Sequence, residues 1–197
     1  MNTTPSSIHA SAAKRRISTQ SIVLVGMFAA VLAVISQISL PMPSGVPITI
    51  QVFGIALVGT VLGWKMGFFA TVVYILLGAV GLPVFANFRG GIQVLVGMSG
   101  GYILAWPVMA VLSGIRPKTE NKTRNLAVMI ILSIIGLMIV EFAGAFQWSR
   151  LTSDMSLSAI IAYSFVAFIP KDVIITVVAV VIGNQMRKPL IRGGYLK

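Results

Sequence analysis

Six long apolar runs constrain this chain more than any other feature of its sequence. A transmembrane helix needs about 20 mostly apolar residues, and a helix pairs its backbone N–H and C=O groups internally, as lipid requires. Only 10% of the 197 residues are charged, whereas a soluble domain has about 25%. The sequence therefore predicts an all-α integral membrane protein with six transmembrane helices in one compact bundle. The predicted spans are residues 20–40, 47–63, 66–82, 93–114, 126–146 and 170–186.

The basic residues indicate how such a bundle is oriented. Six spans bring both ends of the chain to the same side of the membrane, and cytoplasmic loops are enriched in Lys and Arg. With the N-terminus inside, twelve of the 15 basic residues fall on the inner side, and only Arg89, Arg150 and Lys171 fall on the outer side. We therefore predict that both termini are cytoplasmic. The net charge of +11 is assigned to loops beside the lipid bilayer rather than to binding of nucleic acid.

The chain is predicted to be one domain with short tails. Segment 156–168 is apolar but is followed by Pro170, Lys171 and Asp172. We predict a short membrane-embedded helix there, before the sixth span, because one long bent span would put the two charged residues near mid-membrane. The predicted divisions are a disordered basic tail at 1–16, a transmembrane substrate-binding domain at 17–188 and a cytoplasmic tail at 189–197.

The predicted topology brings several polar residues to one level near the outer surface. Ionisable groups at membrane depth are costly and usually face a bundle interior or a water-filled cavity. We therefore predict a ligand pocket that opens to the outside. Its candidate binding residues are Gln51, Tyr74, Asn87, Arg89, Gly90, Gly91, Glu141, Lys171 and Asp172.

Each charged candidate also has a purely structural explanation. Arg89 can extend its guanidinium to the outer lipid headgroups. Glu141 can pair with Arg150 or Lys171, and for Glu141 alone this is the favoured explanation. Asp172 is well placed to cap a helix N-terminus. Spacing alone leaves these alternatives open.

The uncharged candidates are equally ambiguous. Tyr74 and Gln51 have the composition of ordinary packing residues. The pairs Gly90-Gly91 and Gly100-Gly101 fit turns, but glycine also lets backbone groups approach a ligand closely. Two such pairs beside one short segment slightly favour the ligand.

Several kinds of chemistry are excluded by what the chain lacks. It has no cysteine and one histidine, His9, which excludes a thiolate nucleophile and a histidine-dependent hydrolase. No GxxxxGK[ST] sequence is present, so the chain does not bind ATP through a P-loop. Four acidic residues supply little for a proton relay. Reversible ligand binding, without catalytic residues, metal or cofactor, fits this set better than bond-breaking chemistry.

Small residues recur at four-residue spacing in the first span. Gly26 with Ala30, and Ala29 with Ala33, each form a small-xxx-small pair that lets another helix approach closely. Spacing alone favours packing within the bundle over contact with a partner protein.

The segments SLPMPSGVPITIQ (39–51), LGWKMG (62–67), YILLGAVGLPVFA (74–86), RGG (89–91) and GMSGGY (97–102) resemble the biotin-uptake S-component family, commonly called BioY. The resemblance extends over roughly residues 22–186. It implies a six-helix S-component bundle in a bacterial or archaeal cell membrane, with biotin bound near the outer face. It also implies partners: a transmembrane coupling subunit, which the face of Ala29 and Ala33 would contact, and two ATPase subunits that hydrolyse ATP.

The last helix departs from the family pattern. Relatives typically open it with Pro-Gly-Asp-x-x-Lys, whereas here Ile175 stands at the lysine position. Lys171 lies about 100° around the helix from Asp172, so it is not a simple substitute. We expect Asp172 and Asn87 to accept the ureido N–H groups of biotin, and Arg89, or as second choice Lys171, to bind its carboxylate. The alternatives are an S-component for another vitamin and a membrane scaffold or regulatory subunit.

Overall fold

The computed structural model describes residues 18–42, 45–117, 120–153 and 155–196, so the predicted basic tail at 1–16 lies outside the described residues. The fold is mostly helical. Eight α-helices and two short strands occur among these residues, with a 3-10 turn at Ala86–Phe88. In chain order they are α1 Thr19–Ile35, β1 Ser39–Leu40, β2 Ile48–Thr49, α2 Gln51–Leu62, α3 Trp64–Ala79, α4 Ile92–Val96, α5 Gly100–Gly114, α6 Lys122–Leu151, α7 Leu157–Ala167 and α8 Ile169–Arg192.

A small antiparallel sheet replaces the end of the predicted first span, so the expectation of an all-α chain was wrong at this point. Ser39 pairs with Thr49, and Leu40 pairs with Ile48. The flanking Pro41 lacks the backbone N–H that a continuing helix needs. The resulting hairpin turns the chain back toward the start of α2.

The predicted fourth span is broken into α4 and α5 at Gly97. A break inside a helix leaves carbonyl groups without their helical partners. The side-chain amide of Gln147, on α6, donates to Leu95 O at 2.9 Å and to Gly97 O at 2.8 Å. This contact between distant segments stabilises a break that local hydropathy does not predict.

The short helix predicted at 156–168 is confirmed as α7, which ends one residue before the N-cap position of α8. Ser156 caps α7 by accepting a hydrogen bond from the backbone N–H of Ala159. Among the described residues, α6 and α8 are long and apolar enough to cross a membrane by length and composition. Both extend beyond the predicted spans, and α1, α2, α3, α5 and α7 are shorter apolar helices.

Helix α2 lies in the middle of the bundle, against α3, α5 and α8. A helix that is apolar on every side is a buried one, and nearly every residue of α2 is buried. A Cβ atom at Gly59 would lie 2.3 Å from Ala110 O, so glycine is needed for the close approach of α5. At the same C-terminal end of α2, the guanidinium groups of Arg116 and Arg187 donate to Thr60 O at 2.6 Å and Val61 O at 2.5 Å.

Candidate functional site

A cavity of about 60 Å³ lies where the β hairpin, the loop after α3 and the N-terminal ends of α2, α5 and α8 meet. Four charged side chains line it: Arg89, Glu141, Lys171 and Asp172. A wider groove of about 630 Å³ lies between α5 and α6, but its lining is mainly apolar, with Arg150 as the one charged residue among the described residues that line it. The smaller cavity is therefore the better candidate for binding a polar ligand.

Aromatic rings form much of the remaining wall of this cavity. Phe85, Tyr102, Trp106 and Phe168 all line it. Tyr102 and Phe168 meet edge to face, with ring centroids 6.5 Å apart. Tyr102 and Trp106 are one helical turn apart on α5, so they share a face. Sequence reasoning did not single out these aromatics.

Lys171 and Asp172 form an ion pair in the first turn of α8. Lys171 Nζ lies 2.5 Å from Asp172 Oδ1 and 2.5 Å from Thr49 O in β2. Although the two residues lie about 100° apart around the helix, the long side chain of Lys171 reaches the neighbouring carboxylate. Asp172 does not cap α8, whose N-terminus has no side-chain cap among the described residues.

Glu141 lies on α6 across the same cavity. It is 6% exposed, and its Oε2 atom has no hydrogen-bond partner among the described residues. Neither Arg150 nor Lys171 forms an ion pair with the Glu141 carboxylate among the described residues. The indole Nε1–H of Trp106 is likewise buried without a partner. Unsatisfied buried polar groups are costly, so one acceptor and one donor on the cavity wall are suited to a ligand.

Gln51 lines the cavity, whereas Tyr74 lies behind it. Gln51 Nε2 donates to Tyr74 Oη at 3.0 Å, and the Tyr74 hydroxyl donates to Val84 O at 2.9 Å. Tyr74 is 1% exposed and packs edge to face against Phe85. Tyr74 therefore supports the cavity wall without reaching the cavity.

Asn87, Gly90 and Gly91 shape the loop that carries Arg89, and none of them lines the cavity. Asn87 Oδ1 accepts a hydrogen bond from Ser39 Oγ at 3.0 Å. A Cβ atom at Gly90 would lie 2.2 Å from Leu82 O, the carbonyl oxygen of a residue in the turn after α3. Gly91 has φ of +96°, a conformation that favours glycine.

The other glycine pair has a packing role. A Cβ atom at Gly100 would collide with Leu95 O in α4, and one at Gly101 would lie 2.3 Å from Ala143 O in α6. These glycines therefore allow α4 and α6 to approach α5, which carries two of the aromatic wall residues.

The expected partner face on α1 was wrong for Ala29. Ala29 is 1% exposed, and Ala33 is half-buried and packs against the core. A partner protein therefore cannot contact Ala29 in this arrangement. Gly26 and Ala30, the other small-xxx-small pair, are exposed, and among the described residues no other segment comes within 4 Å of a Cβ atom at Gly26.

The acidic residues of the cavity are too few to form a metal site by themselves. Over residues 18–42, 45–117, 120–153 and 155–196, no group of three or more His, Cys, Asp or Glu side chains is placed to hold a metal ion. The acceptors in the cavity, Glu141 and Asp172, share it with two cationic side chains. This arrangement suits an organic ligand that carries both N–H donors and an anionic group.

Comparison with known proteins agrees with this description. The chain is 38% identical over 169 residues to the biotin transporter BioY of Thermotoga maritima, covering 86% of this chain and 96% of that protein. It is 34% identical over 171 residues to a probable biotin transporter BioY of Pyrococcus horikoshii, covering 87% and 98%. Its fold matches the crystal structure of the S-component for biotin from an ECF-type ABC transporter with a TM-score of 0.74, at 28% identity and over 88% and 95% of the two chains.

A family model covers almost the whole chain. The model described as the BioY family matches residues 8–192, which include all eight helices and every residue of the cavity wall. Together with the two relatives, this match shows that the chain belongs to the BioY family.

Proposed function

We propose that this chain is the biotin-binding S-component of an ECF-type uptake transporter. The observation that carries this proposal is the cavity, in which an aromatic wall, two acidic groups and two cationic groups meet. Biotin has an apolar ring and chain, a ureido group with N–H donors, and a carboxylate. The aromatic wall matches the apolar ring and chain, the acidic groups match the ureido N–H donors, and the cationic groups match the carboxylate.

The proposed orientation puts the ureido ring at α8 and the carboxylate at the loop. Asp172 is 3% exposed and offers an ionised acceptor for the ureido N–H groups. Asn87 is a weaker candidate than expected, because its side-chain oxygen already accepts from Ser39. Lys171 is held by Asp172 and Thr49. Arg89 lines the cavity and is the better partner for the carboxylate, which it can bind in bidentate fashion.

Biotin would enter the cavity past the hairpin and the loop that carries Arg89. Both lie outside the α-helices at the mouth of the bundle, where a transient opening disturbs the fewest packed contacts. After entry, the loop is proposed to return to the arrangement described above.

The direct test of this function is ligand binding by the purified chain. We expect biotin to co-purify with the protein and to be retained in preference to thiamine or riboflavin. Preferential binding of another vitamin would favour an S-component of different specificity. Absence of ligand binding, together with no ATP-dependent uptake in vesicles that contain the coupling and ATPase subunits, would favour a scaffold or regulatory subunit.

We further propose that the chain crosses a cell membrane six times, through α1, α2, α3, α5, α6 and α8, with both termini in the cytoplasm. The distribution of basic residues supports this orientation. In it, α4 and α7 are short helices on the outer side, and the cavity opens outward.

Cysteine labelling tests the orientation without interference, because the chain has no cysteine of its own. In intact cells, Ser153→Cys should react with an impermeant maleimide and Glu120→Cys should not, because the two exposed positions lie at opposite ends of α6. Permeabilised cells should label both variants. Reaction of Glu120→Cys in sealed cells would overturn the orientation and the outward-facing cavity.

The proposed partners are a transmembrane coupling subunit and two ATPase subunits, with the exposed side of α1 as the docking face. Ala30→Trp should abolish assembly with the coupling subunit and leave biotin affinity within about twofold, because it enlarges an exposed small-residue surface. Ala29→Trp is the matched control: overpacking at a buried site should lower thermal stability. Selective loss of assembly in Ala29→Trp, with the fold intact, would contradict this choice of face.

A further inference from the structure

The side chain of Gln37 connects the loop that carries Arg89 to the end of α1. Gln37 Nε2 lies 2.9 Å from Ala33 O in the last turn of α1 and 3.2 Å from Phe85 O in the loop. Gln37 Oε1 accepts a hydrogen bond from the backbone N–H of Phe88 at 2.9 Å. Nε2 also lies 2.8 Å from Ser36 Oγ, so its two N–H groups are shared between the end of α1 and the Phe85 side of the loop. Oε1 holds the Phe88 side of the loop.

Two neighbouring residues strengthen this connection. Ser36 is fully buried, and its Oγ atom donates to Val84 O at 2.5 Å. Ser39 Oγ donates to Asn87 Oδ1 at 3.0 Å. The segment after α1 thus binds the loop at several points. Gln37 contacts both sides of the loop, at Phe85 and at Phe88.

The loop needs such contacts because its backbone is strained. Asn87 has φ of 58° and Phe88 has φ of 54°. Asn tolerates this left-handed conformation, whereas it is uncommon for a bulky residue such as Phe. Such a conformation persists only where the surroundings stabilise it. The ring of Phe88 is 72% exposed, so its burial does not supply that stabilisation.

The strained residues lie between two residues of the cavity wall. Phe85 N–H donates to Arg89 O at 2.9 Å and closes the loop, and both residues line the cavity. A change in the backbone at Asn87 or Phe88 therefore moves the guanidinium and the ring that face the ligand.

We propose that Gln37 is a positioning residue, which holds the strained loop so that Arg89 and Phe85 stand in their ligand-binding arrangement. Gln37 lines no part of the cavity, so it acts through the loop. The inference rests on the proposed function only in that biotin is the ligand used to measure affinity.

Hydrogen exchange tests the loop independently of any ligand. In Gln37→Met, which keeps the length of the side chain and removes the amide, peptides that cover residues 84–91 should exchange at least about tenfold faster than in the wild-type chain. Gln20→Met is the matched control, because Gln20 is an exposed residue at the opposite end of α1. Equal exchange in Gln37→Met and wild type would overturn the proposal, whether or not the protein binds biotin.

Affinity then tests the effect on the site. Loss of two hydrogen bonds that hold a loop should weaken biotin about fivefold to thirtyfold, mainly through faster dissociation. In an Arg89→Ala background, Gln37→Met should have a much smaller effect, because the two residues act through one contact. A full additional loss in that background would contradict action through Arg89. A wild-type chain that does not bind biotin would overturn the proposed function and leave the exchange result to decide the role of Gln37.

A second variant separates positioning from general damage. Glycine adopts a positive φ without the cost that Phe88 bears, so Phe88→Gly in the Gln37→Met background should recover part of the lost affinity. A merely destabilised bundle would not recover by this change. No recovery, or a further loss, would contradict the role of strain in the loop.

Discussion

Asp172→Asn is expected to weaken biotin roughly tenfold to more than a hundredfold. Asp172 is buried and is the proposed acceptor for the ureido N–H groups, and a hydrogen bond to a charged group contributes about 1.5–3 kcal/mol. The ureido ring is common to biotin and to biotin amide, so both ligands should lose affinity by similar factors. Isothermal titration calorimetry with the two ligands measures the effect.

A control is needed for Lys171, the ion-pair partner of the Asp172 carboxylate. Asp172→Asn also leaves Lys171 without its ion pair, so the double variant Asp172→Asn, Lys171→Met should be measured beside it. Recovery of wild-type affinity in the double variant would show that the unpaired cation, and not the lost acceptor, causes the effect. Unchanged affinity of Asp172→Asn for both ligands would rule out the proposed ureido contact.

Arg89→Ala is expected to weaken biotin by a comparable factor and to weaken biotin amide much less. The amide lacks the negative charge that the guanidinium is proposed to bind, so its affinity should depend little on Arg89. Arg89→Lys should fall between wild type and Arg89→Ala, because lysine keeps the charge and loses the bidentate geometry. The ratio of the two dissociation constants in each variant is the quantity to compare.

Lys171→Ala tests whether Lys171, rather than Arg89, binds the carboxylate of biotin. If Lys171 only stabilises Asp172, its removal should affect biotin and biotin amide alike. If Lys171→Ala discriminates between the ligands and Arg89→Ala does not, Lys171 binds the carboxylate. Arg89 would then be an anchor to the lipid headgroups.

The sequence predicted the helices better than the breaks between them. Hydropathy depends on local composition, and it located the apolar segments of all the longer helices as well as α7. The break at Gly97 depends on the amide of Gln147, which lies about fifty positions away in the sequence. The β hairpin likewise depends on pairing between Ser39 and Thr49, and neither contact leaves a local pattern.

Within the site, charge was easier to predict than shape. Arg89, Glu141, Lys171 and Asp172 were identified because ionisable residues are rare in apolar segments, and all four line the cavity. Its aromatic wall was missed because Phe, Tyr and Trp are ordinary residues in apolar helices.

On α1, the four-residue spacing identified two small-residue pairs but not which of them faces the bundle. The rotation of a helix is set by its neighbours, and here α3 packs against α1. This packing buries Ala29 and leaves Ala30 exposed, although the two residues are adjacent in the chain.

The balance of charge in the cavity has an electrical consequence for transport. When all are ionised, Arg89, Glu141, Lys171 and Asp172 sum to zero, so the carboxylate of biotin leaves the loaded site with one net negative charge. A transport cycle that carries this site inward moves the charge against an inside-negative membrane potential, at about 2.3 kcal/mol per 100 mV. A proton on Glu141, whose Oε2 atom has no hydrogen-bond partner within the described part of the chain, would leave the loaded site neutral and make the inward step electrically silent.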